Sequence, residues 1–546
     1  MSSIIGRYWK VGLSILWGIG IFLFWACRYP QALSFQEQYQ LFQFTFDYFI
    51  KDFRQAGGVA LYISEFLVQF YYIPLLGAAI LGFVYFLLQR LTWRVMRTTD
   101  GSQYLFSFIP SILLLWLMGD VAMLLSYPVA MIIVLAMAWV MNRRSLLYDI
   151  LLLPIVYWCC GPLTWLYLIL RCIAVFSSRD GKGYGRYILG VLLFVYLFII
   201  QRLPLGDMQQ YPSEAMMYGC NYSMIPLYFP SLTFVIPVVV VLIVIQSTAL
   251  SRWPLSKRLT ATLSIVTCAI LGWASVSYGY DKDQYELICY DYLIRNERWD
   301  DLIERAEKYQ VHTPFSSVAV NLALAEKRQL ANRMFHFYQC GPEALIMGRV
   351  RDLMSMLPSA EAFWRLGLIN SAQRYMFDTQ ESILNGRMSG RCTKRIAECM
   401  IVNGHYKTAR KQLEQLKKSL FYSAWAQEAE ALLGNENAIN AHPVYGRLRK
   451  LRHNEDFLFK SNMINRMFGM LFMNNKDNRM ALDYFMGQLL LEGQLQTFAQ
   501  NMQMVQQFGG YSAMPIGYQD AMLCIQKQGE VPNSPYREYV RRQMGK

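Results

Sequence analysis

The residues best able to do chemistry are carboxylates in three segments of the first half of this 546-residue chain. Glu37, Asp47, Asp52 and Glu65 share one aromatic-rich stretch, Asp120 stands alone, and Asp207 and Glu214 form a third group. Carboxylates of this kind coordinate a hard divalent cation or act as a general base toward a hydroxyl. Arg28 and Arg202 sit at the ends of apolar runs, where a guanidinium can grip a phosphate with two hydrogen bonds. The competing reading is that each of these acids is simply solvated.

Other chemistries leave no trace. The chain has no G-x-S-x-G elbow, no H-E-x-x-H and no G-x-x-x-x-G-K phosphate loop. Gly181-Lys-Gly-Tyr-Gly185 is glycine-rich but follows no strand, so it reads as a connector. The five histidines (His312, His336, His405, His442 and His453) make no i, i+4 pair, and the 11 cysteines show no metal spacing. The metal ligands, if any, are therefore undefined, and the cysteines read as buried thiols. A formal charge of +14 without a clustered basic face predicts no nucleic-acid partner.

The elements that must position the acids are membrane helices. Before residue 280 there are 18 Lys or Arg and 10 Asp or Glu; from there on there are 34 and 28. The expected division is a transmembrane domain, 1–279, and a soluble domain, 280–546. Apolar runs able to cross a ~30 Å core are Val11–Cys27, Tyr71–Gln89, Tyr104–Met118, Val121–Met141, Arg186–Ile200, Tyr228–Gln246 and Leu259–Ser277. Ser145–Phe176 is too long for one span and is broken at Cys160-Gly161-Pro162, so it reads as two short crossings. That predicts about nine spans, the first an uncleaved anchor.

Basic residues fall in alternate loops: Arg7 and Lys10; Arg90, Arg94 and Arg97; Arg143 and Arg144; Arg179, Lys182 and Arg186; Arg252, Lys257 and Arg258. The positive-inside rule puts the N-terminus in the cytoplasm and the second half outside, in the periplasm of a Gram-negative cell. Asp149 and Arg171 are the only charges in or near a span, each expected to snorkel from a cytoplasmic end. The loop 28–70 carries two amphipathic runs, Glu37–Phe53 and Val59–Phe70, separated by Gly57-Gly58. They are expected to lie as helices in the membrane interface, for function or simply as a brace.

The second half reads as helix after helix. A recurring start appears as Asn296-Glu-Arg-Trp299 before Ala306, Gly367-Leu-Ile-Asn370 before Ala372 and Tyr375, and Gly404-His-Tyr406 before Ala409. Asn435-Glu-Asn437 before Ala438 and Asn475-Lys-Asp-Asn478 before Ala481 continue it. These segments resemble degenerate tetratricopeptide repeats, which implies an α-solenoid whose concave face binds a periplasmic protein or peptide. A rigid lid is the plainer alternative. The fold class expected overall is all-α.

The membrane half resembles the GT-C class of glycosyltransferases: a long first external loop with a carboxylate, and a second acid after the third span. That resemblance implies transfer of a sugar from a polyprenyl-phosphate-linked donor on the external face, with Mg2+ or Mn2+ at the leaving phosphate. It makes Glu37, Asp47 and Asp120 catalytic candidates, and Arg28, Asp52, Glu65, Arg202 and Asp207 substrate-binding candidates. The first loop lacks the paired acids of that class, and Asp120 stands where many members carry D-x-D. Over Phe35–Gly77 and Asn321–Ala426 the chain also resembles an uncharacterised family of Bacteroidota inner-membrane proteins. The rival functions are a membrane-anchored periplasmic scaffold for envelope proteins and, third, a transporter.

Overall fold

The structure is a computed structural model; it describes all residues except 1, 178–183, 204–229, 253–255, 349, 351, 353, 384–385, 454–462, 508–510, 512, 527–532 and 545–546. Every regular element among the described residues is helical. The chain divides into two compact units, Met1–Lys282 with Leu384–Arg387, and Asp283–Ile383 with Met388–Lys546.

In the first unit, α1 (Ser2–Leu23) runs into a π-helical turn, Phe24–Arg28, and then α2 (Pro30–Gln36). A 3-10 turn, Glu37–Tyr39, precedes α3 (Phe46–Phe53) and α4 (Gly58–Val68). There follow α5 (Pro74–Met96), α6 (Ile109–Leu117), α7 (Ser126–Val140), α8 (Asp149–Cys160), α9 (Thr164–Phe176), α10 (Tyr184–Arg202), α11 (Leu232–Arg252) and α12 (Lys257–Tyr278). Among the described residues, seven segments are long and apolar enough to cross a bilayer, which makes the chain an integral membrane protein. One expected crossing falls short of that length, and the expected division at Gly161 is present. Gly101–Leu117 is a shorter apolar helix whose first part is 3-10, and Leu146–Phe176 is divided into α8 and α9.

The division has a local cause. Gly161 takes φ +62°, a left-handed conformation that a Cβ would strain, and Pro162 follows. The two short helices are pinned where Asp149 of α8 meets Arg171 of α9. Both side chains are fully buried, with N–O distances of 3.0–3.2 Å, and Tyr167 donates to the same carboxylate. Arg171 also donates to the carbonyls of Met141, Arg144 and Ser145. Neither charge snorkels. In a low-dielectric interior a buried charge needs a partner for every donor, and the pair supplies it.

Elsewhere in this unit the spans are joined by small residues and polar contacts, the usual means of helix association in lipid. At the α1–α5 crossing a Cβ on Gly82 would lie 2.7 Å from the Gly18 carbonyl oxygen. Nearby, Ser14 Oγ bonds Gln89 Oε1 at 2.7 Å and Tyr104 Oη at 2.6 Å, and Gln89 Nε2 donates to Ser107 Oγ at 2.7 Å.

The second unit is a run of helices, most of them packed against their sequence neighbours. The recurring element has a physical basis. Asn435 and Asn478 are N-caps whose side chains accept from the amides of Ala438 and Ala481, at 3.0 and 3.1 Å. Gly367 and Gly404 end the preceding helices at φ +90° and +80°. Ala306, Ala372, Ala409 and Ala481 are buried at helix contacts; Ala438 is half-buried. Ion pairs reinforce the packing. Arg391 grips Asp291 with two 2.7 Å bonds, and Glu361 accepts from both Arg365 and Arg395.

Candidate functional site

The aromatic, acidic stretch folds as three short helical pieces. Helix α3 starts at Thr45, whose hydroxyl caps the Tyr48 amide at 3.3 Å. Its first turn carries Asp47, exposed, where a carboxylate favours the helix dipole. Residues 40–45, expected within a continuous amphipathic helix, are non-helical. The Gln40 side chain accepts from the Phe42 amide there, an alternative to helical bonding. Between α3 and α4 the backbone turns tightly: Gly57 has φ +78°, and a Cβ on Gly58 would lie 1.8 Å from the Asp52 carbonyl oxygen.

That turn brings Asp52, at the end of α3, beside Glu65 on α4. Both side chains are almost wholly buried, and the charge that meets them comes from Arg387, in the short segment 384–387 that belongs to this unit. Arg387 Nε donates to Glu65 Oε1 at 2.9 Å, and Nη2 donates to Asp52 Oδ1. Tyr48 Oη donates to Glu65 Oε2 at 2.5 Å, and its ring lies 5.5 Å from the guanidinium carbon. Asp52 Oδ2 has no hydrogen-bond partner. Two buried carboxyls thus face one guanidinium. Like charges so placed oppose each other, and Arg387 balances one of them.

Glu65 also borders a small cavity of ≈ 20 Å³, room for about one water. Gln36, Tyr39, Gln40, Ser64 and Tyr71 line it with Met123–Leu125, and the hydroxyls of Tyr39 and Tyr71, both buried, have no hydrogen-bond partner. Asp120 approaches this place from the chain beyond α6. It is half-buried, it caps the Ala122 amide at 2.9 Å, and its charge adds to burial in pushing the Tyr39 phenol up. Gln36 Nε2 ties the two segments together by donating to the Val121 carbonyl at 3.3 Å.

Helix α4 has a second working face. Leu61, Ser64, Glu65 and Val68 border the small cavity, whereas Ile63, Leu67 and the following Phe70 line an apolar groove of ≈ 680 Å³. The opposite walls of that groove come from α5, including Leu76, Ile80 and Phe83, and from α7 through Val129, Ile132 and Ile133.

Of the residues singled out from sequence, the structure thus gathers Asp52 and Glu65 in one cluster, with Asp120 close to the adjoining cavity. Glu37 is buried in its 3-10 turn but does not border the cavity. Asp47 faces outward. Arg28 and Arg202 are exposed, their guanidinium groups over the rings of Tyr29 and Phe198 at 5.6 and 4.9 Å. Asp207 and Glu214 lie outside the described residues. Among the described residues no three His, Cys, Asp or Glu side chains converge on a metal position. The Arg387 guanidinium bonds both Asp52 and Glu65. Arg387 was missed from sequence because nothing in Gly386-Arg387-Met388 distinguishes it from the many arginines of the second half.

No curated protein and no solved structure matches this chain. Residues 7–545, nearly its whole length, match one family, and the chain belongs to it: the family of unknown function DUF6057.

Proposed function

We propose that the chain is a GT-C-like membrane transferase that takes a sugar from a polyprenyl-phosphate-linked donor at the periplasmic face of a bacterial inner membrane. In this reading the second unit is a tetratricopeptide-like array that presents a protein or glycan acceptor. The observation that carries the proposal is the two-sided use of α4. One face turns a carboxylate toward a water-sized cavity that several polar side chains border, and the other turns aliphatic side chains toward an apolar groove. An amphipathic substrate needs both kinds of wall within one helix width.

Glu65 is the carboxylate best placed to act as base. It would accept the proton of the acceptor hydroxyl while the acceptor oxygen bonds to the sugar carbon and the carbon–phosphate-oxygen bond breaks, releasing polyprenyl phosphate. Tyr39 and Tyr71 offer two hydroxyl donors at the same cavity. The test uses the full chain in nanodiscs with a short-chain polyprenyl-phosphate hexose and membrane glycan extract, reading release of polyprenyl phosphate. General-base loss predicts that Glu65→Gln lowers the rate by roughly 100-fold or more. Absence of turnover by the parent chain, or full activity of Glu65→Gln, overturns the proposal.

One observation favours a second reading, a non-enzymatic periplasmic scaffold. Asp52 and Glu65 are already occupied by Arg387, as in a structural ion-pair cluster. The scaffold reading predicts unchanged capture of envelope proteins by the full chain when Glu65 is replaced.

A further inference from the structure

Two short helical hairpins of the first unit meet at their tips. The first is α3–α4, of 8 and 11 residues, and the second is α8–α9, of 12 and 13. At 1.5 Å per residue none of these helices reaches across a ~30 Å hydrocarbon core alone.

Their junction is made by backbone. The Gly57 amide, at the N-cap of α4, donates to the Trp158 carbonyl in the last turn of α8 at 2.8 Å. Trp158 Nε1 in turn donates to the Phe53 carbonyl at the end of α3, also at 2.8 Å. The C-terminus of α8 therefore feeds the N-terminus of α4. Opposite ends of two helix dipoles face each other, and groups that helix ends leave unbonded satisfy one another.

The far ends of the same helices lie at opposite ends of α5. The C-terminal end of α4 is joined to the start of α5 by only Gln69–Ile73, and Tyr71 from that link borders the cavity with Ser64, Glu65 and Val68. At the other end of α5, Arg97 donates to the Ala174 carbonyl of α9 at 2.8 Å. There, too, Arg171 binds Asp149 and the carbonyls that close α7. Helix α5 has 23 residues, and α4 and α8 together supply the same number. Helix α7 packs against both.

We infer that α4 and α8 are the two halves of one broken span, with α3–α4 entering the bilayer from one face and α8–α9 from the other. The outward residues suit this. Phe46 and Phe53 on α3 are 74% and 43% exposed, and Leu151 and Ile155 on α8 are 75% and 55% exposed, so both hairpins show hydrocarbon to their surroundings. Of the charges in the first hairpin, Asp52 and Glu65 are turned inward and paired with Arg387, as charges at membrane depth must be, while Asp47, Lys51 and Arg54 are exposed. Such a break places Asp52, Glu65 and Arg387 inside the bundle, where non-helical backbone is tolerated because protein covers it. The inference stands apart from the transferase reading, since it needs no substrate.

The test is depth measurement in a bilayer. A nitroxide-bearing phenylalanine derivative is incorporated singly at positions 46, 53, 66 and 155 of the full chain, in phosphatidylglycerol–phosphatidylethanolamine vesicles. Power saturation with oxygen and with a water-soluble nickel chelate then gives each label's depth. All four native side chains are exposed, so labelling leaves the packing intact. A broken span predicts that the labels at 53 and 155 are deepest, with position 53 lying up to about 10 Å below position 46 over seven residues of helix. Equal, shallow depth at 46, 53 and 66 would mean that α3 and α4 lie in the interface, and would overturn the inference.

Discussion

Replacing Arg387 by Met is the most informative single change in the first unit. The substitution keeps most of the side-chain volume and removes the guanidinium that bonds Asp52 and Glu65. With it present the cluster is neutral after taking up one proton; without it, two are needed. The second proton must be placed on a carboxyl at pH 7, about three units above the ordinary aspartate value, at about 1.4 kcal/mol per unit, or roughly 4 kcal/mol. That agrees with the 3–5 kcal/mol typical of breaking a buried ion pair from one side.

For a unit of this size the loss corresponds to a fall of roughly 8–16 °C in apparent Tm, read by intrinsic tryptophan fluorescence of the full chain in micelles. In the variant the added carboxyl proton is bound more tightly in the folded than in the unfolded state, so its stabilising effect is full at low pH and fades as pH rises. The difference from the parent chain should therefore shrink toward roughly 1.5 kcal/mol near pH 5. Asp52→Asn combined with Arg387→Met removes the need for the second proton and should recover most of the loss at pH 7. An equal drop in Tm at pH 5 and pH 7, or a double variant no more stable than Arg387→Met, would mean that Arg387 does not balance the two buried carboxyls.

Two further perturbations read other parts of the chain. Asp149→Ala leaves Arg171 buried with its carbonyl partners but without a counter-charge. It should lower the apparent Tm by an amount equivalent to about 3–5 kcal/mol, whereas Asp149→Asn, which still accepts from Tyr167, should cost less. In the second unit, burial pushes the Asp483 carboxyl up to about 6 against its hydrogen bond from Tyr511 and the charges of Arg479 and Arg328. Because the folded value is raised, this acid's contribution is full below its ordinary value of 3.8 and is lost as pH rises through about 6. Asp483→Asn should thus gain up to about 3 kcal/mol over the parent above pH 6 and nothing below pH 4. Chemical denaturation of the full chain at both pH values measures it.

The legible parts of this chain were those set by local sequence. Apolar length announced the spans, and Gly161-Pro162 announced the break between α8 and α9, because a left-handed glycine followed by proline ends a helix whatever surrounds it. Asn435 and Asn478 were visible as recurring helix starts for the same reason: the cap is made within four residues. What could not be read was how charges find partners across the chain. Asp149 and Arg171 look like two snorkelling residues until the hairpin folds back and makes them one buried pair. Asp52 and Glu65 look like solvated loop acids until a guanidinium more than 300 residues away closes on them. Both misreadings have one cause. A carboxylate's behaviour is fixed by what desolvates it and what pairs with it, and neither is encoded nearby. That same dependence makes the cluster a better place to seek function than any exposed acid. Glu37 is buried and Asp120 half-buried outside it, and Asp47 is exposed, whereas Glu65 combines burial, a bond to Arg387 and a cavity with room for about one water.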